Sequence, residues 1–160
     1  MDYCLSDSPV GPLLLAGEDG ALAMLEFQRG RKPPRTPLDW REDRKPFRDA
    51  IQQLEAYFAG RLRHFELRLA PAGTRFQHQV WDLLLEIPYG ETRSYGELAR
   101  RIGDPKAARA VGLANGSNPI AIVIPCHRVI GATGKLTGYG GGLDIKRRLL
   151  ALERGPGLFD

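Results

Sequence analysis

A chain of 160 residues with 42% hydrophobic and 26% charged content has an ordinary soluble composition, enough for one domain or two small ones. No apolar run approaches a membrane span, and the opening Met-Asp-Tyr-Cys-Leu-Ser lacks the basic and apolar regions of a signal peptide. The two cysteines, Cys4 and Cys126, have no framework spacing, and with three histidines they offer no zinc pattern, so the expectation is a reducing, cytoplasmic setting with no metal and no cofactor.

The formal charge of +4 is unevenly placed. Residues 1–73 carry 11 Lys/Arg and 11 Asp/Glu, whereas residues 74–160 carry 12 and 8. A basic excess confined to one half suits an anionic partner such as nucleic acid.

Residues 3–27 alternate apolar segments with turn signals and read as strand, tight turn, strand. Residues 29–46 are rich in Arg, Lys and Pro and read as an exposed loop. From Pro46 to Phe58, apolar residues recur at helical spacing and stop before Gly60. His64 to Leu69 alternates polar and apolar like a half-buried strand, with His64 facing solvent. Pro71-Ala72-Gly73 punctuates the chain where the charge balance changes, giving an expected boundary between domains 1–73 and 74–160. Cys4 has no adjacent base or cation and is assigned no chemistry.

In the second half, Thr74 caps a helix whose apolar face is Phe76, Val80, Trp81, Leu84 and Ile87, with His78 on the solvated side. Ser94-Tyr95-Gly96-Glu97 is a capping-box pattern opening a short helix to about Ile102. Gly103-Asp104-Pro105 turns the chain into a third helix, residues 106–114, giving a helix-turn-helix outline. That third helix presents Ala, Val and Gly around Arg109: a thin face with one long cation, suited to a narrow DNA groove.

The run Ile122 to Ile130 holds the chemistry. Val and Ile on both sides of Pro125-Cys126-His127-Arg128 read as buried strand or core, with Pro125 forcing a stiff turn before the thiol. A cysteine is most often a buried small hydrophobe, but two potentially cationic neighbours inside an apolar run are costly unless used. They are expected to lower the thiol pKa and make Cys126 a nucleophile with His127 as its base. The stretch from Gly131 to Gly142 fails as a phosphate loop, because Leu136 stands where Ser or Thr is required, and reads as a glycine hairpin carrying Tyr139. The last helix, about Gly142 to Glu153, puts Lys146, Leu149, Leu150 and Glu153 on one face. A buried glutamate needs a partner, and His127 is the candidate.

Taken together, Arg109-Ala110-Val111-Gly112, Asn118-Pro119, Pro125-Cys126-His127-Arg128-Val129, Gly138-Tyr139 with Gly141, and Lys146…Leu149-Leu150…Glu153 resemble the O6-alkylguanine-DNA alkyltransferase family. The resemblance covers nearly all of residues 74–160 and is looser over the first half. It implies an α+β protein: an N-terminal ribonuclease-H-like sheet-plus-helix domain and a C-terminal, mostly helical winged-helix or helix-turn-helix domain. It also implies single-turnover transfer of an alkyl group from O6 of guanine, or O4 of thymine, to Cys126.

In the roles so implied, His127 acts through a water as base, Glu153 orients His127, and Asn118 braces the turn. Tyr95 crowds the target phosphate and contacts the base, while Arg109, with Ala110 and Gly112 beside it, enters the minor groove and fills the vacated stack. Tyr139 walls the guanine pocket, the carbonyls of Cys126 and Val129 receive its amine, and the Gly140 amide meets O6. Arg128 belongs to the same substrate and DNA set. The implied partner is double-stranded DNA bearing O6-alkylguanine, met by a monomer that clusters on DNA. Two other readings compete: a non-catalytic alkyl-lesion binder of the same superfamily, whose members replace the cysteine, and a Cys–His–acid thiol hydrolase.

Overall fold

The computed structural model describes residues 1–29 and 36–155, and the chain divides into two compact units, Met1–Ala72 and Gly73–Asp160. In the first, the apolar segments become β1 (Asp2–Ser6), β2 (Leu13–Glu18) and β3 (Ala21–Phe27), antiparallel neighbours. Asp19 and Gly20, at φ +54° and +77°, form the two-residue loop between β2 and β3, as an Asp-Gly hairpin requires. The sheet order is β3-β2-β1 with the short β4 (Arg41–Glu42) beyond β1, and Leu13 to Ala16 of the inner strand β2 are all buried. The ladder slips between Ala16 and Gly17, and a Cβ at Gly17 would overlap the Ala21 carbonyl.

Two expectations in this unit need correction. Part of the supposed loop, β4 (Arg41–Glu42), pairs parallel to β1; the amides of Arg41 and Asp43 donate to the carbonyls of Met1 and Tyr3 at 3.0 and 2.9 Å. Residues 30–35 of that loop lie outside the described residues. The His64 to Leu69 segment is not a strand. Its alternation is real, with His64, Glu66 and Arg68 exposed and Phe65, Leu67 and Leu69 half-buried. Its backbone makes only an isolated bridge to Leu22, and the Gln53 amide serves Glu66 instead, donating to its carbonyl at 3.0 Å and accepting its N–H at 2.8 Å. A side chain has taken the place of a neighbouring strand. The intervening helix is as expected: a 3₁₀ turn at Lys45–Phe47 leads into α1 (Arg48–Phe58), which buries Ala50, Ile51, Leu54 and Tyr57.

In the second unit α2 (Arg75–Leu85) starts at Thr74, which forms a full capping box with Gln77; such a box stabilises a helix by about 1 kcal/mol. Its face buries Val80, Trp81 and Leu84, and Trp81 Nε1 donates to the Ala114 carbonyl at 2.9 Å. His78, expected in solvent, is half-buried with its ring edge-on to Trp81 at 5.1 Å, because a helix residue reaches its i+3 neighbour. After β5 (Arg93–Ser94), the Ser94 hydroxyl caps α3 (Tyr95–Ile102) by accepting the Glu97 N–H, and Gly103 closes it at φ +94°. A 3₁₀ turn at Pro105–Ala107, capped by Asp104, leads into α4 (Ala108–Gly116). Helices α2, α3 and α4 pack on one another. The short strand β6 (Val129–Ile130) pairs parallel with β5, and α5 (Leu143–Arg154) packs on the Cys126 turn between α4 and β6. The architecture is mixed α+β, with a sheet unit first and a helical unit second.

Candidate active site

The segment entering Cys126 is not the strand its Ile and Val content suggests. Ile122 sits at φ +71°, unusual for a β-branched residue, and the Val123 amide donates across it to the Ala121 carbonyl at 2.8 Å. That is a γ-turn of the strained hand, and Pro125 (φ −80°, ψ 65°) makes a second of the relaxed hand, with the Cys126 amide on the Ile124 carbonyl at 2.8 Å. Buried Ile120, Ile122 and Ile124 anchor the two turns in the core. Asn118 braces them directly: its Nδ2 donates to the Ile124 carbonyl at 2.8 Å, and its Oδ1 accepts the Ile120 amide at 2.9 Å. Cys126–Arg128 then form one 3₁₀ turn, which ends in β6.

Around that turn lies a buried charged network. Glu153, from α5, accepts from His127 Nε2 at 2.5 Å and from Arg128 Nε at 2.7 Å. Arg128 also donates to the Ile87 carbonyl at 2.6 Å and lies over the Tyr89 ring at 5.8 Å. Burial alone would raise the Glu153 pKa, but its bonds to His127 and Arg128 hold it down at about 2. Burial lowers the His127 pKa, against the pull of Glu153 and helped by Arg128 and Lys146. The imidazole is therefore neutral, and its Nε2–H points at a carboxylate. The remaining nitrogen, Nδ1, is buried, has no protein hydrogen-bond partner among the described residues, and is left as the basic atom.

The thiol itself departs from the expectation of a lowered pKa. Burial pushes the Cys126 thiol up, while hydrogen bonding from Asn118 and Tyr139 and the charge of Lys146 pull it down less strongly. Arg128, expected to help the thiol, is not among the groups that lower its pKa. It is buried and faces Glu153, whose charge it balances. The resting site thus holds a neutral thiol beside a neutral base, and deprotonation belongs to the reaction rather than to the resting state.

Lys146, placed by helical spacing on the same face as Leu149, Leu150 and Glu153, is fully buried, and its Nζ donates to the Val129 carbonyl at 2.6 Å. Burial lowers its pKa, and the neighbouring Cys126 opposes that shift. The sequence pattern gave it a face but no partner, because the bond to Val129 depends on where the turn after Cys126 packs. The Tyr95 hydroxyl pairs with Thr137 Oγ1 at 2.6 Å, and a Cβ added at Gly112 would come into ordinary contact range of the Tyr95 ring. On the outer face of α4, Arg109, Ala110, Leu113 and Gly116 are exposed, while Val111, Ala114 and Asn115 are buried. The 131–142 stretch is a turn closed by the Gly131 amide on the Lys135 carbonyl, without the strand ladder of a hairpin, and a side chain at Gly140 would meet open space. Among the described residues, no group of three or more His, Cys, Asp or Glu side chains could hold a metal ion.

Two family models match the chain: the 6-O-methylguanine DNA methyltransferase ribonuclease-like domain over residues 1–71 and the DNA-binding domain of the same proteins over residues 75–155. This chain belongs to the 6-O-methylguanine DNA methyltransferase family. A methylated-DNA–protein-cysteine methyltransferase of Methanosarcina acetivorans is 60% identical over 153 residues, covering 96% of this chain and 98% of the relative. One of Mycolicibacterium paratuberculosis is 59% identical, covering 96% and 93%. The crystal structure of Mycobacterium tuberculosis OGT in complex with DNA superimposes with a TM-score of 0.89 at 56% identity, covering 96% of this chain and 93% of that one. Family membership accounts for both units, including the first, where the sequence motifs were loose.

Proposed function

We propose that this protein repairs DNA by accepting, on Cys126, the alkyl group of O6-alkylguanine, and of O4-alkylthymine by the same chemistry, once per chain. The observation that carries the reading is the arrangement of Cys126, His127 and Glu153: a thiol on a braced turn, next to an imidazole whose hydrogen bond to a carboxylate leaves one nitrogen basic. In the transfer, the bond from sulfur to the alkyl carbon forms as the carbon–O6 bond breaks. The thiol proton passes to His127 Nδ1, through one water as in the family, and the imidazolium then returns it by way of solvent to the departing guanine, which regains N1–H as its lactam and leaves the imidazole neutral. A thioether is a poor leaving group, so nothing in the chain restores the thiol. Glu153 stabilises the imidazolium that forms, while Arg128 keeps Glu153 ionised in the resting state.

In this reading residues 74–160 form the domain that both grips DNA and performs the transfer. The α4 face enters the minor groove, and Arg109 takes the place of the extruded base. Tyr95 presses on the target nucleotide, Tyr139 walls the base, and the Cys126 and Val129 carbonyls face its amine. Both carbonyls already accept bonds within the protein, Cys126 O from the Val129 amide and, at 3.4 Å, from Asn115 Nδ2, and Val129 O from Lys146. The protein acts as a cytoplasmic monomer on duplex DNA. A non-catalytic lesion binder has no use for an intact Cys126 with its base.

The test is intact mass after mixing with an O6-methylguanine duplex, then peptide mapping: a gain of one methyl, on Cys126, is expected. Repeated turnover, or methyl on Cys4, would sink the proposal. A comparison of Arg109→Ala with wild type checks the DNA half. The variant is expected to lose roughly tenfold or more in rate on duplex substrate, where unstacking costs a few kcal/mol. It should react almost normally with free O6-benzylguanine.

A further inference from the structure

Asn115 lies near the end of α4, 4% exposed, with its Nδ2 donating to the Cys126 carbonyl at 3.4 Å. Its Oδ1 is buried and has no protein hydrogen-bond partner among the described residues. An amide in such a place is a poor choice for stability, since an unmet buried acceptor is costly and a leucine of similar size incurs no such penalty. Nothing in the thiol–imidazole–carboxylate chemistry uses it. What it does touch is the nucleophile's own carbonyl, which accepts the Val129 amide at the end of the 3₁₀ turn.

We infer that Asn115 is a positioning residue for base selection: it aims the Cys126 carbonyl at the exocyclic amine of the incoming guanine and so makes transfer sensitive to that amine. The inference rests on the alkylguanine reading above. The Val129 amide and Asn115 Nδ2 approach the same oxygen and together fix its direction. The Asn115 bond is long, so the oxygen keeps the capacity to accept a stronger one from the base. Because Asn115 and Arg109 belong to the same helix, the element expected to open the duplex also carries the group that orients the carbonyl.

The test uses two free alkylated bases that differ only in the amine, O6-benzylguanine and its hypoxanthine counterpart, O6-benzylhypoxanthine. Wild-type protein is expected to react at least tenfold faster with the guanine. Asn115→Leu, and Asn115→Ala as a second variant with less bulk, are expected to lose most of that ratio while keeping their rate on the hypoxanthine compound, which also shows that they are folded. Asn115→Leu is further expected to melt no lower than wild type. A ratio unchanged in a folded variant overturns the inference. A wild type that does not distinguish the two bases overturns instead the reading of the Cys126 carbonyl as the amine acceptor.

Discussion

Cys4 and Cys126 look alike by the usual measures. Both are free thiols, 3% and 6% exposed, and burial raises the pKa of each. Their surroundings differ. Cys4 sits in the middle of β1, paired with Leu15, and among the described residues the charges acting on it are Arg44, which lowers its pKa, and Glu42 and Asp43, which raise it. Cys126 sits on a turn that breaks the regular backbone, acted on by Asn118, Tyr139 and Lys146, and its neighbour in sequence, His127, keeps a buried ring nitrogen with no protein partner among the described residues. Reactivity here is a property of what is arranged to take the proton, not of a thiol already ionised at rest.

The largest expected effect breaks this comparison outright. Cys126→Ser should abolish alkyl transfer, and Cys4→Ser should leave it unchanged; single-turnover mass measurements on both decide it. Next, Glu153→Gln should slow transfer by about a hundredfold or more, the usual scale of general-base assistance. It should also cost about 3 kcal/mol in a urea titration, because Arg128 is left as a buried cation without its counter-charge. Arg44→Ala, the corresponding change near Cys4, should alter stability by less than about 0.5 kcal/mol and rate not at all. Lys146→Met should slow transfer more modestly, by about tenfold, and move the rising limb of the rate–pH profile to higher pH, since the thiol loses a nearby positive charge.

The smallest effect is one the two thiols should share. Each is raised above 9 in the folded protein, so the unfolded chain ionises first and stability falls as pH climbs past 9. Replacing either with serine should flatten that alkaline decline. On the acid side the active site contributes two groups. Glu153 is held at about 2 against 4.5, so its contribution is complete above 4.5 and fades as pH falls toward 2. Buried neutral His127, lowered from 6.5, adds a loss that begins below 6.5. Urea midpoints measured from pH 2 to 10.5 should show both limbs, and in Glu153→Gln the decline below 4.5 should weaken.

The pattern of residues made much of this legible. The helices α1 to α5 announce themselves through caps and apolar spacing, and the Glu153–His127 pairing follows from a glutamate on a leucine face. The failures share a cause: they concern backbone geometry or the direction of a side chain, which composition does not encode. The Ile-Val run before Cys126 has the content of a strand, but it turns at Ile122 and at Pro125, with the Asn118 side chain bridging Ile120 and Ile124. Residues 64–69 have strand alternation with a glutamine in place of a partner strand. β4 has two charged residues and no pattern at all. Arg128 was grouped with the DNA-contacting residues through the resemblance alone, and its bond to the buried Glu153 is a matter of side-chain direction that the sequence does not show.

The bond from Trp81 to Ala114 gives the protein a built-in optical probe. The chain has two indoles: Trp81 is 2% exposed and tied to the last turns of α4, while Trp40 is partly exposed in the sheet unit. Iodide should quench Trp40 preferentially, leaving emission that comes mainly from Trp81. Any displacement of α4 as it engages a duplex would stretch that indole N–H bond and shift the remaining spectrum. The movement of the groove helix can thus be timed, in stopped flow and without a label, against the slower disappearance of the free thiol.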